Sequence, residues 1–412
     1  MLSAEDNAAL TRVGRGTPMG ELMRRYWHPV AAVGQLDERP TRPVRLMGED
    51  LVLFRDAAGR YGLLGRHCPH RRADLAHGTV EARGLRCHYH GWLFDGDGRC
   101  LHQPFEEAAR PEARFKDKIR ATAYPVEPKA GLLWAYLGPA PAPLVPDWDL
   151  YHEVGYKQIV LSEVPCNWFQ AQENSIDPIH FEWLHGNWSA ALGGRAGARV
   201  PAHVRIGFTE FEWGFVYRRV RVDSTEADEL WTVGRVCLWP NALYTGKFEW
   251  RVPVDDEHTL HVAWFNDPLP GPEPFEQPRI PYWIGPVTDP ATGRLITSHV
   301  MNQDFAAWLG QGPIADRTQE HLGESDRGVI LLRRRMLEEA AEVTRGGEPK
   351  AVVRDPARNV KLALPRVRQG PGAPMGVAPD RPRPMLWHAG QPREIAEEIE
   401  RVWAQRLRSV GR

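Results

Sequence analysis

The chain lacks a long apolar run. Its longest, such as Leu132 to Leu137, fall far short of the roughly 20 residues a membrane span needs, so no membrane segment is expected. Net charge is also scarce: −1 over 412 residues, which removes the electrostatic case for nucleic acid or an acidic membrane surface. Cysteine is thin and odd in number (Cys68, Cys87, Cys100, Cys166, Cys237). That argues against a secreted disulfide scaffold and for a reducing compartment. The opening Met-Leu-Ser-Ala-Glu-Asp has no basic stretch and no apolar stretch of the kind a signal peptide carries, so a cytoplasmic location is expected. A Gly-x-Gly-x-x-Gly after a strand and a Walker loop are missing too. The chain therefore offers no site of its own for NADH or flavin.

What is present divides by pattern. The length predicts two or more domains. Residues 1–43 read as helical and then irregular, with Thr17 as N-cap, Pro18 at the first helical position, and Leu22, Met23 and Trp27 as an apolar face. Residues 44–145 read as a small all-β domain. In it Leu51–Phe54 and Tyr61–Leu64 flank a turn at Asp56-Ala-Ala-Gly59, and Leu93-Phe94 and Cys100-Leu101 flank Asp95-Gly-Asp-Gly98. A proline-rich connector, Pro139 to Pro146, ends it. Residues 146–412 carry alternating runs at Val204–Phe208, Trp231–Val233, Phe248–Val254 and Leu260–Trp264, which predict an antiparallel meander. Two late helices follow. One is capped by Ser325 and shows Val329, Leu332, Met336 and Ala340 on one face; the other shows Ile395, Ile399, Val402, Trp403 and Leu407. Leu364 to Arg383, rich in Pro, Gly and Arg, reads as a surface excursion. The fold class is α+β, a small all-β domain joined to a large antiparallel sheet with segregated helices. The many tryptophans read as core anchors and say nothing of a substrate.

Two constellations carry chemistry. Cys68-Pro-His70 and, sixteen residues on, Cys87-His-Tyr-His90 place two thiolates and two imidazoles in loops. Four such ligands hold a metal centre. Their order suits a [2Fe–2S] cluster with one iron on two cysteines and the other on two histidines. A zinc site with the same ligand count is one alternative, although zinc ligands usually pair Cys with Cys and His with His. Buried free cysteines beside unrelated histidines are another. The second constellation is Asp177-Pro-Ile-His180-Phe-Glu-Trp-Leu-His185, just past the connector. Two histidines and a carboxylate make the facial triad of non-haem Fe(II) oxygenases, with positions left open for O2. On an ideal helix His180 and His185 lie about 140° apart, too wide for one metal. Either the helix bulges or His185 lies beyond its end. Pro178 argues for a helix start or a kink there, and Asp177 also suits an N-cap.

Cys68-Pro-His-Arg71 and Cys87-His-Tyr-His-Gly-Trp92 resemble the ligand loops of Rieske domains. With the Asn167–His185 segment, the whole chain resembles the Rieske non-haem iron ring-hydroxylating oxygenases, α-subunit type. The resemblance implies a Rieske [2Fe–2S] domain joined to a helix-grip catalytic domain with a mononuclear iron. It carries over His180 and His185 as iron ligands and Asp304 as the third, with Asp316 and Asp326 as rivals. It makes Asp177 the bridge to a cluster histidine of the neighbouring subunit and Asn174 an amide behind the ligands. The openings Leu10-Thr-Arg-Val-Gly14 and Gly16-Thr-Pro-Met-Gly20, and Gly312-Pro-Ile-Ala-Asp316, resemble the phthalate dioxygenase-like branch. That branch implies a homotrimer or stacked trimers, a separate NAD(P)H-dependent reductase carrying flavin and an iron–sulfur cluster, and a small aromatic substrate, favouring an aromatic acid. Arg205 and Arg235, on catalytic-domain strands, are candidates to meet its carboxylate. Hydroxylation of an aromatic is the main expectation and oxidative O- or N-demethylation the alternative, since the same iron ligands serve both. A Rieske electron-transfer protein is the reading from another class, weakened by the second iron motif.

Overall fold

In the computed structural model, residues 2–195, 197–271, 273–367 and 387–410 are described. The described residues build three small β-sheets and one large one. The strands Thr41–Leu46, Glu49–Arg55, Tyr61–Gly65 and Ala123–Tyr124 form one four-stranded sheet; Thr79–Glu81, Gly84–Arg86, Leu93–Phe94 and Cys100–His102 form another. Turn chemistry sets both hairpins. The Asp56 carboxylate accepts from the Ala58 and Arg60 amides, and Gly59 takes φ 86°. Asp95 accepts in the same way from Asp97 and Arg99. Gly98 sits at φ 81°, where a Cβ would lie 2.2 Å from the Ala121 carbonyl oxygen. The two sheets enclose one small core of Val52, Phe54, Leu64, Leu75, Leu85 and Phe94 that includes Cys68, Cys87 and Trp92.

The large sheet has eight strands in the order His203–Phe211, Gly214–Arg221, Arg235–Leu238, Ala242–Tyr244, Phe248–Pro253, Thr259–Asp267, Tyr156–Val164 and Tyr282–Ile284. The first six follow chain order, as a meander must. The sheet is antiparallel except at its edge, where Tyr282–Ile284 runs parallel to Tyr156–Val164. Alternation divides its faces. Phe248, Trp250, Val252, Val262 and Trp264 enter the main apolar core, where the N-terminal Leu10, Met19, Leu22 and Met23 and the helix residues Leu332, Met336 and Ala340 also lie. The opposite face turns Tyr217, Arg235, Glu249, Arg251 and His261 toward the helices Trp168–Asn174 and Val300–Gly310. Two contacts fix that stacking: Gln172 Nε2 donates to the Leu238 carbonyl at 3.3 Å, and the His261 ring lies 5.2 Å from Phe305.

Several local expectations are corrected. Thr17 does cap Pro18–Met23, accepting from Gly20 N, but Trp27 opens a strand, Trp27–Ala32, instead of extending the helix face. That strand pairs with Leu132–Tyr136. All six of its residues are buried, so it shows no alternation. Trp231 lies in a short helix, Glu229–Thr232, because the Asp228 carbonyl accepts from the Trp231 and Thr232 amides; the strand starts at Arg235, after Gly234 at φ 79°. The late helix begins at Arg327. Ser325 lies in a 3-10 turn before it, where Asp326 accepts from Gly323 N. In the last helix, Arg393–Val410, Ile395, Ile399 and Val402 are buried while Leu407 is exposed. The excursion expected from Leu364 to Arg383 lies outside the described residues from 368 onward. Among the described residues no helix is long and apolar enough to cross a membrane.

Candidate metal centres

The first centre is set by two tight loops. Cys68 follows the strand Tyr61–Gly65, and its carbonyl accepts from Arg72 N at 2.9 Å, with Arg72 in the left-handed region at φ 61°. Cys87 to Gly91 closes the hairpin between Gly84–Arg86 and Leu93–Phe94. The Gly91 amide donates to the Cys87 carbonyl at 3.0 Å, and Gly91 takes φ 73°. The loops face each other. Cys68 and Cys87 are buried and their thiols lie in contact, and burial pushes the Cys68 thiol up to about 12. A thiol so placed becomes a thiolate by giving its proton up to a metal. The His70 and His90 rings pack edge-on at 4.4 Å, with Trp92 stacked on His70 at 4.3 Å. His70 Nδ1 is buried without a protein partner, as a ligand atom turned toward a metal would be. The donor set fits a cluster whose cysteine end is inside the domain and whose histidine end is outside, since His90 is exposed.

The second centre solves the spacing problem by a bulge. His180–Glu182 is α-helical, Trp183–Trp188 is a π-helix and Ser189–Leu192 resumes the α form. A π-segment bonds residues five apart, which returns His185 to the side of His180. Opposite stands Asp304, in the first turns of Val300–Gly310. The ligand atoms of His180, His185 and Asp304 all lie within 4.8 Å of one another. Asp304 Oδ1 is 3.2 Å from His185 Nε2 and 3.9 Å from His180 Nε2. Three such groups, nearly sealed from water, fit a divalent iron with open coordination positions.

The outer atoms of these ligands are held in turn. His185 Nδ1 bonds Gln303 Oε1 at 3.0 Å, and Gln303 Nε2 donates to Ser189 Oγ and the Thr297 carbonyl. Asn174 Nδ2 donates to Asp304 Oδ1 at 3.2 Å. Asp177 accepts from Ile179 N at 2.7 Å through one oxygen, and its other oxygen lies 3.7 Å from His180 Nδ1. Burial pushes the Asp177 carboxyl up, but His180 and the backbone amides outweigh it and hold the group below its ordinary value. Burial likewise opposes charge on Asp304, and His185, His180 and Arg251 prevail in lowering it. Behind Asn174, Glu173 is buried and clamped by Arg317 and Arg333. Those two guanidiniums overcome the burial and hold its carboxyl below its ordinary value.

The remaining candidates separate. Asp316 is exposed and accepts from Thr318; Asp326 caps the turn at Gly323. Neither joins the ligand cluster. Arg205 is not brought to the site either. It stands on the edge strand His203–Phe211, mostly exposed, paired with Glu226 and lying over Trp231 at 4.6 Å. Arg235 does reach the helix side, where its guanidinium lies 4.7 Å from the Phe181 ring, next to His180. Sequence reasoning missed Gln303, Arg219, Lys247, Arg251, His261 and His388. Gln303 alone had a signal, its place beside Asp304; Arg219, Arg251 and His261 stand on strands of the large sheet, while Lys247 lies just before Phe248–Pro253 and His388 just before the helix Arg393–Val410.

Residues 26–120 match the Rieske [2Fe-2S] domain, and residues 292–363 match a LigXa C-terminal domain like family. The chain is 57% identical, over 90% of its length and 88% of the relative's, to the 5,5'-dehydrodivanillate O-demethylase oxygenase subunit of Sphingobium sp. strain SYK-6. It is 34% identical, over 84% of its length and 88% of the relative's, to the phthalate 4,5-dioxygenase oxygenase subunit of Pseudomonas putida. In fold it is similar to the terminal oxygenase of carbazole 1,9a-dioxygenase from Novosphingobium sp. KA1, with TM-score 0.52 and 20% identity, covering 84% of this chain and 96% of that one.

Proposed function

The chain belongs to the Rieske non-haem iron oxygenases, among the phthalate dioxygenase-like members, and on that premise we propose that it removes a methyl group from a methoxylated aromatic acid. The observation that carries this reading is the 57% identity to an O-demethylase subunit through both metal-bearing regions. Hydroxylation of an aromatic ring uses the same ligands and stands as the broader activity of the relatives.

When bound, the [2Fe–2S] cluster passes single electrons and the mononuclear iron activates O2. The overall change balances as Ar–O–CH3 + O2 + 2e⁻ + 2H⁺ → Ar–OH + HCHO + H2O. A separate electron-transfer reductase supplies the electrons. We assign to it NAD(P)H, flavin and an iron–sulfur centre, because this chain has no nucleotide loop. His180, His185 and Asp304 would hold the iron, with Gln303 and Asn174 fixing the orientation of His185 and Asp304. Cys68, His70, Cys87 and His90 would hold the cluster. Exposed His90 supports an outward electron exit. Asp177, partly exposed beside His180, would accept a hydrogen bond from such a histidine on a neighbouring subunit, a role that favours a homotrimer or stacked trimers. Arg235, with Arg219 beside it, supports an acidic substrate.

The test is product analysis. Holoenzyme, a Rieske reductase, NADH and 5,5'-dehydrodivanillate should give one formaldehyde per phenol formed. A cis-dihydrodiol or a ring-hydroxylated product without formaldehyde would assign the chain to ring hydroxylation instead.

A further inference from the structure

Arg86 ends the strand Gly84–Arg86, one residue before Cys87. Strand pairing sets it opposite Thr79, so Glu81, two residues on, is its diagonal neighbour on the same face. The guanidinium is used on all its edges. Nε and Nη2 donate to the two oxygens of Glu81, the second at 2.9 Å. Nη1 donates to the Gly91 carbonyl and meets His102 Nδ1 at 3.1 Å. A guanidinium has only donors, so His102 accepts through that nitrogen. Gly91 follows His90 directly, and its amide closes the turn on the Cys87 carbonyl. The other side of that turn is shut by Pro104, whose Cγ would lie 3.0 Å from a Cβ at Gly91. The turn that carries Cys87 and His90 is therefore clasped between Arg86 and Pro104.

The Arg86–Glu81 pair also has a direction. Arg86 keeps 24% of its side chain exposed and Glu81 38%, so the cation is the inner member. It bonds the ligand-bearing turn, and the carboxylate stands behind it. The hydrogen bond from Arg86 outweighs burial and holds the Glu81 carboxyl below its ordinary value, which keeps both members charged. Arg71 and Arg72, the arginines of the other ligand loop, are exposed, where water and salt screen them. Net charge and hydrogen bonding around an iron–sulfur cluster set its reduction potential, and a nearby positive charge favours the form that holds the extra electron. We infer that Arg86 is a positioning residue of the cluster: it pins the Cys87–His90 turn and, with its charge inward, raises the cluster's reduction potential, while Glu81 moderates that rise. The pair would then divide the driving force between accepting an electron from the reductase and passing it on. The inference rests on the reading that Cys68, His70, Cys87 and His90 hold the cluster.

The experiment is an anaerobic potentiometric titration of the holoprotein with dithionite, one electron per cluster, read by visible absorption and EPR. Glu81→Gln keeps an oxygen for the guanidinium and removes the negative charge, so the potential should rise. Arg86→Met removes the cation and its bond to the Gly91 carbonyl, so the potential should fall. Each change should alter the reduced-to-oxidised ratio at a set potential by about tenfold, equivalent to about 59 mV for one electron. Arg86→Lys keeps the charge and should stay within about threefold of the wild-type ratio. A brace with no electrostatic part would loosen in both charge-removing variants and move both potentials the same way. Opposite signs therefore separate the inference from a purely structural role. If Arg86→Met takes up no cluster, the sign in Glu81→Gln decides. Potentials that fall together, or a Glu81→Gln potential no higher than the wild type's, would overturn the inference and leave the cluster assignment intact. A wild-type protein without the spectrum of a two-cysteine, two-histidine cluster would overturn both.

Discussion

Asp177 serves two demands with one carboxylate. One oxygen takes the Ile179 amide and so opens the helix after Pro178; the other faces His180 Nδ1 at 3.7 Å. Replacing it with Asn keeps an oxygen for the amide but removes the negative charge facing the imidazole. In Asp177→Asn both metals should therefore stay bound while cluster-to-iron electron transfer slows by about 10–100-fold. Metal analysis and single-turnover oxidation of the pre-reduced cluster check this. Unchanged transfer would remove Asp177 from the electron route. Gln303→Ala should act differently, because it frees His185 Nδ1: iron affinity should fall by about 10–100-fold with the cluster's absorption unaltered. That Cys68, His70, Cys87 and His90 form one group and His180 and His185 another was legible in the sequence, since each pattern is local and its residue types are chemically specific. Asp304 was reached through resemblance, because a lone aspartate some 120 residues downstream has no local mark. The cations facing the helices were not legible. Arg219, Lys247 and Arg251 each look like solvated strand residues until strand pairing buries them.

At the scale of elements, the π-segment Trp183–Trp188 brings His180 and His185, five apart, to one side, where they would share one metal. Deleting Gly186 should restore a regular α-helix and swing His185 by about 100°. The protein should then keep the irons of the cluster and lose the third, as read by iron content against cluster absorbance. Retention of all the iron would mean that another group completes the site. Hairpins at Asp56–Gly59 and Asp95–Gly98 were legible because side-chain turn bonds and left-handed glycines are sequence events. The strand Trp27–Ala32 was not, because burial on both faces erases the alternation that marks a strand. The Trp231 segment misled for the opposite reason: apolar residues two apart also occur in a single helical turn.

Across the whole molecule, one face of the large sheet is an aromatic core that carries the N-terminal helices, and the other turns charged residues such as Arg235, Glu249 and Arg251 toward a roof of the helices Trp168–Asn174 and Val300–Gly310. Glu173 ties that roof together, joining the helix before Asp177 to Arg317 and to Arg333 of the helix Arg327–Thr344. Glu173→Gln leaves two buried guanidiniums short of a charge and should cost about 3–5 kcal/mol of stability. Its folded carboxyl lies below its ordinary value. The stabilisation is therefore complete above the unfolded value of about 4.3 and is lost as pH falls through the lower folded value. The difference in melting temperature between wild type and Glu173→Gln should be large at pH 6 and shrink progressively below about pH 4. A difference independent of pH would mean the carboxylate's charge is not what holds the roof.

The most direct measurement is demethylation by His180→Ala, assayed with reductase, NADH, O2 and 5,5'-dehydrodivanillate beside the wild type. The expected result is a protein that keeps the visible spectrum of its cluster, is still reduced by the reductase and releases no formaldehyde. Formaldehyde released at the wild-type rate would contradict the assignment of the chemistry to the iron held by His180, His185 and Asp304.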